Sequence, residues 1–315
     1  MRSRFALGIS IGLFAGSFLA AGAASAQPAP AGAGAPAASA PAGLTKSSTA
    51  ASASNDIAKG GLVSAAQAKA DDPSHVNDVS IGLGGLFSAG NARQIALTGL
   101  GRLRLRREEH QFSTAVSVNA ARAGKKGEAV STTVENYQGL LRYDYFLNER
   151  ISLFFQSTAR RDRFQGLDLR LNVDPGLAYY FINEKTHRLQ GEAGYDLQHD
   201  IRRDESLTIP PAADAPAGTL PTVIDKTQTL HNARLFLGYE NKLRKEVSLV
   251  TSFEYLQNFA DFATYRFIFD IGLKSNVADN LALAVAYTAR YENKPIPNVE
   301  ELDSIMSVNL VYSFF

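Results

Sequence analysis

The 315-residue sequence contains no cysteine and no tryptophan, and it lacks an excess of charge of either sign. Without cysteine, the chain can form no disulfide framework, no thiolate metal site and no cysteine nucleophile. The chain has 32 basic and 31 acidic residues and no strongly basic block, so its charge does not favour binding to nucleic-acid phosphates. No metal-ligand spacing and no glycine-rich phosphate loop is visible. We therefore expect neither a nucleic-acid partner nor a cofactor.

The N-terminal region predicts an exported protein. Arg2 and Arg4 precede a short apolar stretch, and a small-residue cleavage site ends at Ala26. This pattern favours a signal peptide over 1–26; the alternative, a membrane anchor, is disfavoured because Gly and Ser dilute the apolar stretch. Residues 27–76 are rich in Ala, Pro and Ser and offer few large side chains to bury, so we expect a disordered leader there. No later stretch reaches the roughly 20 apolar residues of a spanning helix.

From residue 77 to the end, apolar and polar residues alternate with a period of two. Leu103 and Leu105, for example, stand between Arg102, Arg104 and Arg106. Such alternation predicts β-strands. The segments exceed ordinary strands in length and match the tilted strands that cross a membrane. The predicted strands are 79–89, 92–106, 110–122, 132–146, 149–163, 167–182, 187–202, 228–242, 246–259, 264–276, 280–292 and 303–315.

The connections between these strands are sorted by length. Short joins such as 107–109 and 147–148 alternate with longer ones, of which 203–227 is the longest; 90–91 and 164–166 are short exceptions. Tight turns on one rim, long loops on the other and an even strand count are typical of outer-membrane barrels. A soluble β-sandwich gives no reason for this sorting. The predicted fold is therefore an all-β, transmembrane antiparallel barrel of about 12 strands, expected to be a monomer.

The outward-facing phase of the strands is apolar and becomes aromatic near the short-turn rim, as at Tyr143, Tyr145 and Tyr312. Tyrosine suits the headgroup level because its ring is apolar and its hydroxyl stays hydrated. We therefore expect contact with outer-membrane lipids and lipopolysaccharide. The closing strand alternates from Met306 to Phe314 and resembles a C-terminal barrel signal. The barrel assembly machinery is thus an expected partner during biogenesis.

The opposite phase is charged, with acidic and basic side chains in balance. Buried ionised groups are costly unless they are paired, so we expect pairs between strands. A barrel of this size is wider than a side-chain-filled eight-stranded barrel and narrower than a porin. The hypothesis is a narrow, largely filled lumen holding a polar network. The candidate network is Arg102, Arg104, Arg142, Asp144, Arg160, Asp162, Arg170, Asp174, Glu192, Asp196, Arg234, Glu240, Glu254, Arg266 and Asp270.

Several short motifs carry a resemblance to a known family. They are Ser88-Ala89-Gly90-Asn91, Arg142-Tyr143-Asp144-Tyr145, the run from Arg161 to Arg170, Pro175 to Tyr179, and Gly191 to Tyr195. Together they resemble the salt-induced outer-membrane protein family, domain of unknown function 481, of Gram-negative bacteria. The resemblance covers about 79–315 and implies a barrel in the outer membrane. It implies no established activity and no catalytic residues. The long leader and the 203–227 loop depart from the family pattern.

Three functions are compatible with these features. The first is a structural or stress-adaptive role in the cell envelope, with the link to salt given by the resemblance alone. The second is a narrow channel for small solutes or ions. The third is a lipid hydrolase, which needs a serine beside a histidine on the lipid-facing rim. Of the five histidines, His199 and His231 are placed there, and neither is followed by a serine two residues on. We therefore expect no enzyme.

Overall fold

The computed structural model describes residues 75–89, 92–125, 127, 129–184, 186–211, 216, 218–296 and 299–314. The signal peptide expected over 1–26 lies outside the described residues, as does nearly all of the leader and the tight turn expected at Gly90-Asn91. No helix in the described part of the chain is long and apolar enough to cross a membrane.

The described residues form fourteen strands and one short 3-10 helix over Asp204–Ser206. Twelve strands build a closed barrel, and two short ones, β8 and β9, form a separate hairpin. The strands are β1 His75–Ser88, β2 Ala92–Arg107, β3 His110–Lys125, β4 Ser131–Phe146, β5 Ile151–Asp162, β6 Leu167–Asn183, β7 His187–Arg202, β8 Thr208–Ile209, β9 Thr222–Val223, β10 Thr227–Lys242, β11 Val247–Asn258, β12 Tyr265–Ala278, β13 Leu281–Glu292 and β14 Leu302–Ser313.

The barrel is a meander in which each strand pairs antiparallel with the next, and β14 closes it against β1. The predicted fold class, an antiparallel transmembrane barrel of twelve strands, is confirmed. Closure joins the first strand to the last, so the sheet has no free edge strand, which is a requirement for a sheet surrounded by lipid. The seam between β1 and β14 is short and pairs Ser80–Ser313 through Leu83–Leu310.

The predicted strand limits differ from the observed ones by a few residues. β1 begins at His75 rather than 79, because β2 continues to Arg107 and offers a partner along its whole length. β5 begins at Ile151 rather than 149, because the Asn148 side chain closes the preceding turn. Its Oδ1 accepts hydrogen bonds from the backbone N–H groups of Arg150 (2.8 Å) and Ile151 (2.9 Å).

The loop between β7 and β10 contains regular structure where the sequence predicts only an inserted loop. The 3-10 helix follows β7, and the β8–β9 hairpin pairs Thr208 with Val223. Arg203 N–H donates to the carbonyl oxygen of Gly166 at 2.9 Å. The base of this loop is therefore attached to the turn between β5 and β6.

The two faces of the barrel differ in polarity. Leu83, Phe155 and Val308 are 66%, 52% and 53% exposed on the outside. Tyr143, Phe181 and Tyr312 are also exposed, near the rim of short turns. On the inside, polar side chains such as Asn136 and Gln156 are fully buried. An apolar exterior around a polar interior is the arrangement that a bilayer requires of a barrel.

Candidate functional site: the filled lumen

All fifteen side chains of the candidate network occupy the inward-facing phase of their strands. Arg102 and Glu240 are half-buried. The remaining thirteen are buried: Arg104, Arg142, Asp144, Arg160, Asp162, Arg170, Asp174, Glu192, Asp196, Arg234, Glu254, Arg266 and Asp270. They divide into a central chain, a group at the long-loop mouth and a group near the short turns.

The central chain consists of five alternating charges: Asp144, Arg142, Glu192, Arg234 and Glu254. Arg142 donates to Asp144, with Nε 2.9 Å from each carboxylate oxygen, and its Nη1 lies 3.3 Å from Glu192 Oε2. Arg234 Nη1 donates to the same Glu192 oxygen at 3.0 Å, and its Nη2 lies 3.3 Å from Glu254 Oε2. Because β4 and β7 are three places apart in the barrel, the Arg142–Glu192 contact spans the lumen in front of β5 and β6.

Aromatic rings fill the space beneath the central chain. The Arg142 guanidinium carbon lies 4.3 Å from the centre of the Phe154 ring, and Arg234 lies 5.5 Å from the same ring. Phe154 in turn packs over Gly176, where a Cβ would come within 2.4 Å of the ring. Guanidinium groups bind aromatic faces favourably when both are desolvated. A ring at this position therefore supports the ion pairs and excludes water.

Contacts across the barrel close the long-loop mouth. Gln165, in the turn between β5 and β6, accepts from Arg160 at 2.8 Å and donates to Asp303 of β14 at 3.0 Å. Arg170 of β6 donates to both oxygens of Asp200, at 2.8 and 2.7 Å, and its Nη1 lies 3.8 Å from Glu292 of β13. β6 and β13 are five places apart among twelve strands, so they face each other across the lumen.

The mouth is also covered by apolar residues. Ile296, from the loop between β13 and β14, is 8% exposed, and Leu167 is 1% exposed. A cavity of about 20 Å³ remains between them and the charged pairs, room for roughly one water molecule. The described side chains therefore leave no passage for a larger solute at this cavity.

The group near the short turns is richer in cations. Asp78 lies in the electrostatic field of Arg102, Arg104 and Lys274, with Glu240 as a further anion. Lys274 is 2% exposed, and its ammonium has no hydrogen-bond partner among the described residues. The balance of charge that the sequence suggests for the whole lumen is thus uneven along its length.

Sequence reasoning missed the amide and aromatic members of the lumen. Asn136 donates to Asp162 at 2.8 Å, and Gln156 donates to Asp174 at 2.9 Å. Phe154 and Phe236 also lie inside the barrel. These residues share the inward phase with the charges, so the alternation itself contained the signal. Selecting only ionisable residues discarded it.

The histidines that the enzyme hypothesis depends on are paired with hydroxyl groups on the outer surface. His199 Nδ1 lies 2.9 Å from Thr229 Oγ1, and His231 Nδ1 lies 2.5 Å from the Tyr195 hydroxyl. Each imidazole thus has a threonine or tyrosine partner rather than a serine. Within the described ranges, no group of three or more His, Cys, Asp or Glu side chains is arranged to hold a metal ion.

The outer loops carry their own ion pairs, which are exposed. Lys294 Nζ lies 2.6 Å from Asp261 Oδ2, joining the β13–β14 loop to the β11–β12 loop. Hydrogen bonds from Lys294, Thr264 and the Ala263 amide lower the pKa of Asp261 to about 2. The Asp204 carboxylate, 2.7 Å from Lys226 Nζ, raises the pKa of that ammonium.

Fold and lumen together define a transmembrane β-barrel of the outer-membrane type, with a polar interior that its own side chains occupy. The chain belongs to the family described as "Protein of unknown function, DUF481", whose model matches residues 81–314. The resemblance inferred from the motifs is thereby confirmed. No curated protein matches the chain.

Solved structures similar to this chain include three membrane barrels. The NanC porin is 10% identical, with a TM-score of 0.43 over 76% of this chain and 100% of that one. An outer-membrane channel from Pseudomonas putida F1 is 10% identical, with a TM-score of 0.43 over 77% and 98% of the two chains. The translocator domain of the autotransporter NalP from Neisseria meningitidis is 9% identical, with a TM-score of 0.42 over 78% and 90%. Similarity at this level establishes no shared activity.

Proposed function

We propose that the protein is a closed outer-membrane barrel with a structural or adaptive role in the cell envelope, not an open pore. The observation that carries this proposal is the set of contacts crossing the lumen: Arg142 with Glu192, Arg170 with Glu292, and Gln165 with Asp303. A hydrated pore needs a continuous column of water, and buried side chains in these positions oppose it. The association with salt stress rests on the family resemblance alone.

Planar-bilayer recording tests the closed lumen. The purified full-length barrel is expected to give no large, stable conductance steps. Arg170→Ser with Glu292→Ser removes the ionic contact across the mouth and is expected to raise ion leak. Asp261→Ser with Lys294→Ser removes an exposed ion pair on the same rim and serves as the control. Large, stable steps from the unmodified barrel would overturn the proposal.

Cell fractionation tests the location. An outer-membrane barrel is expected in the outer-membrane fraction and is expected to migrate differently on gels before and after heating. Recovery in the soluble periplasmic fraction, without a mobility shift, would contradict the placement.

A narrow channel for small solutes or ions is the second candidate. The supporting observation is the long, polar inner face, which extends from Asp78 near the short turns to Asp162 at the long-loop mouth. Small conductance steps in the unmodified barrel, which become larger in the variant with Arg170→Ser and Glu292→Ser, would favour the channel over the closed barrel.

A further inference from the structure

Two carboxylates of the lumen face each other from neighbouring strands. The register of β6 and β7 pairs Val173 with Leu197 and Gly176 with Gly194, which places Asp174 directly opposite Asp196. Asp174 is 0% exposed and Asp196 is 1% exposed, and their carboxyl groups lie within hydrogen-bonding reach of each other. Like charges opposed in this way are destabilising, and two carboxylates that share a site cannot both remain ionised without compensation.

Two amide groups donate hydrogen bonds to Asp196 of this acid pair, and only one donates to Asp174. Asn172 Nδ2 donates to one oxygen of Asp196 at 2.7 Å, and Asn232 Nδ2 donates to the other at 2.7 Å. Asp174 receives a single donor, Gln156 Nε2, at 2.9 Å on Oδ2. Its Oδ1 has no hydrogen-bond donor among the described residues. The charge is therefore favoured on Asp196, and a proton is favoured on Asp174 Oδ1.

Two cations act on the acid pair, Arg234 on Asp174 and Arg170 on Asp196, but both are shared with other carboxylates. Arg234 is already bound to Glu192 and Glu254, and Arg170 is already bound to Asp200. The neighbouring strand β5 contributes only the neutral Gln156 and Thr158. The charged groups that face the pair are Arg170 on β6, Glu192 and Asp200 on β7, Arg234 on β10 and Glu254 on β11.

We propose that Asp174 and Asp196 form a proton-binding site at the centre of the lumen. Asp174 carries one proton on Oδ1 and donates it to the Asp196 carboxylate. With this proton in place, both oxygens of each carboxyl group take part in a hydrogen bond, and the pair carries one negative charge instead of two. A metal ion fits the arrangement less well, because hard cations take about six to eight oxygen ligands and the surrounding amides present N–H groups to the carboxylates.

The shared proton links the pair to pH. An unfolded aspartate ionises near pH 4, whereas the folded pair keeps its shared proton to a higher pH, so the barrel loses stability from about pH 4 until the pair gives up that proton. Asp174→Asn replaces the acid O–H by an amide N–H that can donate to Asp196. This variant is expected to keep the hydrogen bond to Asp196 and to lose this dependence of stability on pH.

Asp196→Asn is the matched variant, with the same change of atoms on the other side of the pair. Its new N–H group would point at the N–H of Asn172 or Asn232, leaving buried donors without acceptors. We expect the unfolding equilibrium constant to rise by about tenfold or more.

The test uses the full-length barrel and two readouts. Urea unfolding in detergent between pH 4 and pH 10 gives the stability of each variant, and infrared spectroscopy detects the carbonyl band of a protonated carboxylic acid near pH 7. We expect that band in the unmodified barrel and its loss in Asp174→Asn. Absence of the band, equal damage from the two variants, or stabilisation by Na⁺ or Ca²⁺ that Asp174→Asn abolishes would overturn the proposal. The infrared readout does not depend on the folding of Asp196→Asn.

Discussion

The two halves of the barrel wall contribute different side chains to the lumen. We call the half formed by β4–β7, β10 and β11 the charged wall, because it supplies the whole central chain and the aromatic rings beneath it. We call five strands of the other half, β13, β14 and β1–β3, the small-residue wall; β12 carries buried charges and belongs to neither wall. Its inward positions at mid-height are small residues such as Ala284, Ser80, Ala115 and Ser117, which are 1–3% exposed.

The burial of these small residues indicates how the lumen is filled. Alanine and serine are too short to cover one another across a barrel of twelve strands. Their low exposure therefore requires that longer inward side chains cover them. The small-residue wall also contains the seam, where β1 and β14 pair over only a few positions. We infer that the stability of the packed lumen resides mainly in the charged wall.

The largest difference between the walls is expected at Glu192. Glu192→Gln removes the acceptor charge that Arg142 and Arg234 share, leaving two buried guanidinium groups incompletely paired. Removing one partner of a buried ion pair costs about 3–5 kcal/mol, so we expect a loss of that order in the free energy of unfolding. Urea unfolding of the barrel in detergent measures it.

Ser117→Ala is the control on the small-residue wall. The Ser117 hydroxyl has no hydrogen-bond partner among the described residues, so its removal is expected to change stability by less than about 0.5 kcal/mol. Equal losses for the two variants would show that the walls do not differ as inferred.

A smaller effect is expected from glycine substitutions on the two walls. At Gly194 of β7, a Cβ would come within 2.6 Å of the Pro175 carbonyl oxygen and 3.1 Å of the Gly176 Cα. These are backbone atoms, which cannot rotate away as a side chain can. Gly194→Ala is therefore expected to lower the free energy of unfolding by about 1–3 kcal/mol. At Gly82 of β1, which also faces the lumen, a Cβ would meet only side-chain atoms at 3.5 Å or beyond, an ordinary contact distance, and Gly82→Ala is expected to be tolerated. Comparable unfolding midpoints for both variants would contradict the difference in packing.

The difference between the walls was only partly predictable from the sequence. Alternation with a period of two is local, so it indicated the strands, their number and the inward phase of residues such as Arg142 and Glu192. Asn148 and the other short polar joins predicted the turns. Turn geometry, like the alternation, is determined by residues that are close together in the sequence. The fold followed from these local signals because each strand pairs with its neighbour in sequence.

The contacts inside the lumen depend on closure of the barrel, which no local pattern specifies. Arg142 and Glu192 are 50 residues apart, and Gln165 and Asp303 are 138 residues apart. The stagger of the strands and the length of the side chains determine which of the many inward-facing charges come into contact. Phe154 was missed for a related reason: an aromatic residue suits either the lipid face or a filled interior, and only its phase separates the two.

The smallest effect is expected at the outer rim, where the β13–β14 loop of the small-residue wall meets the β11–β12 loop at the edge of the charged wall. Because the pKa of Asp261 is lowered to about 2, its contact with Lys294 is expected to be fully present above about pH 4, the ordinary range of an aspartate, and to be lost as the pH falls through 2. Titration of the Asp261 carboxyl group by NMR measures the midpoint. Lys294→Ala removes the first cause of the shift and is expected to move the midpoint back toward about 4. A midpoint near 4 in the unmodified barrel would show that the two loops are not joined in this way.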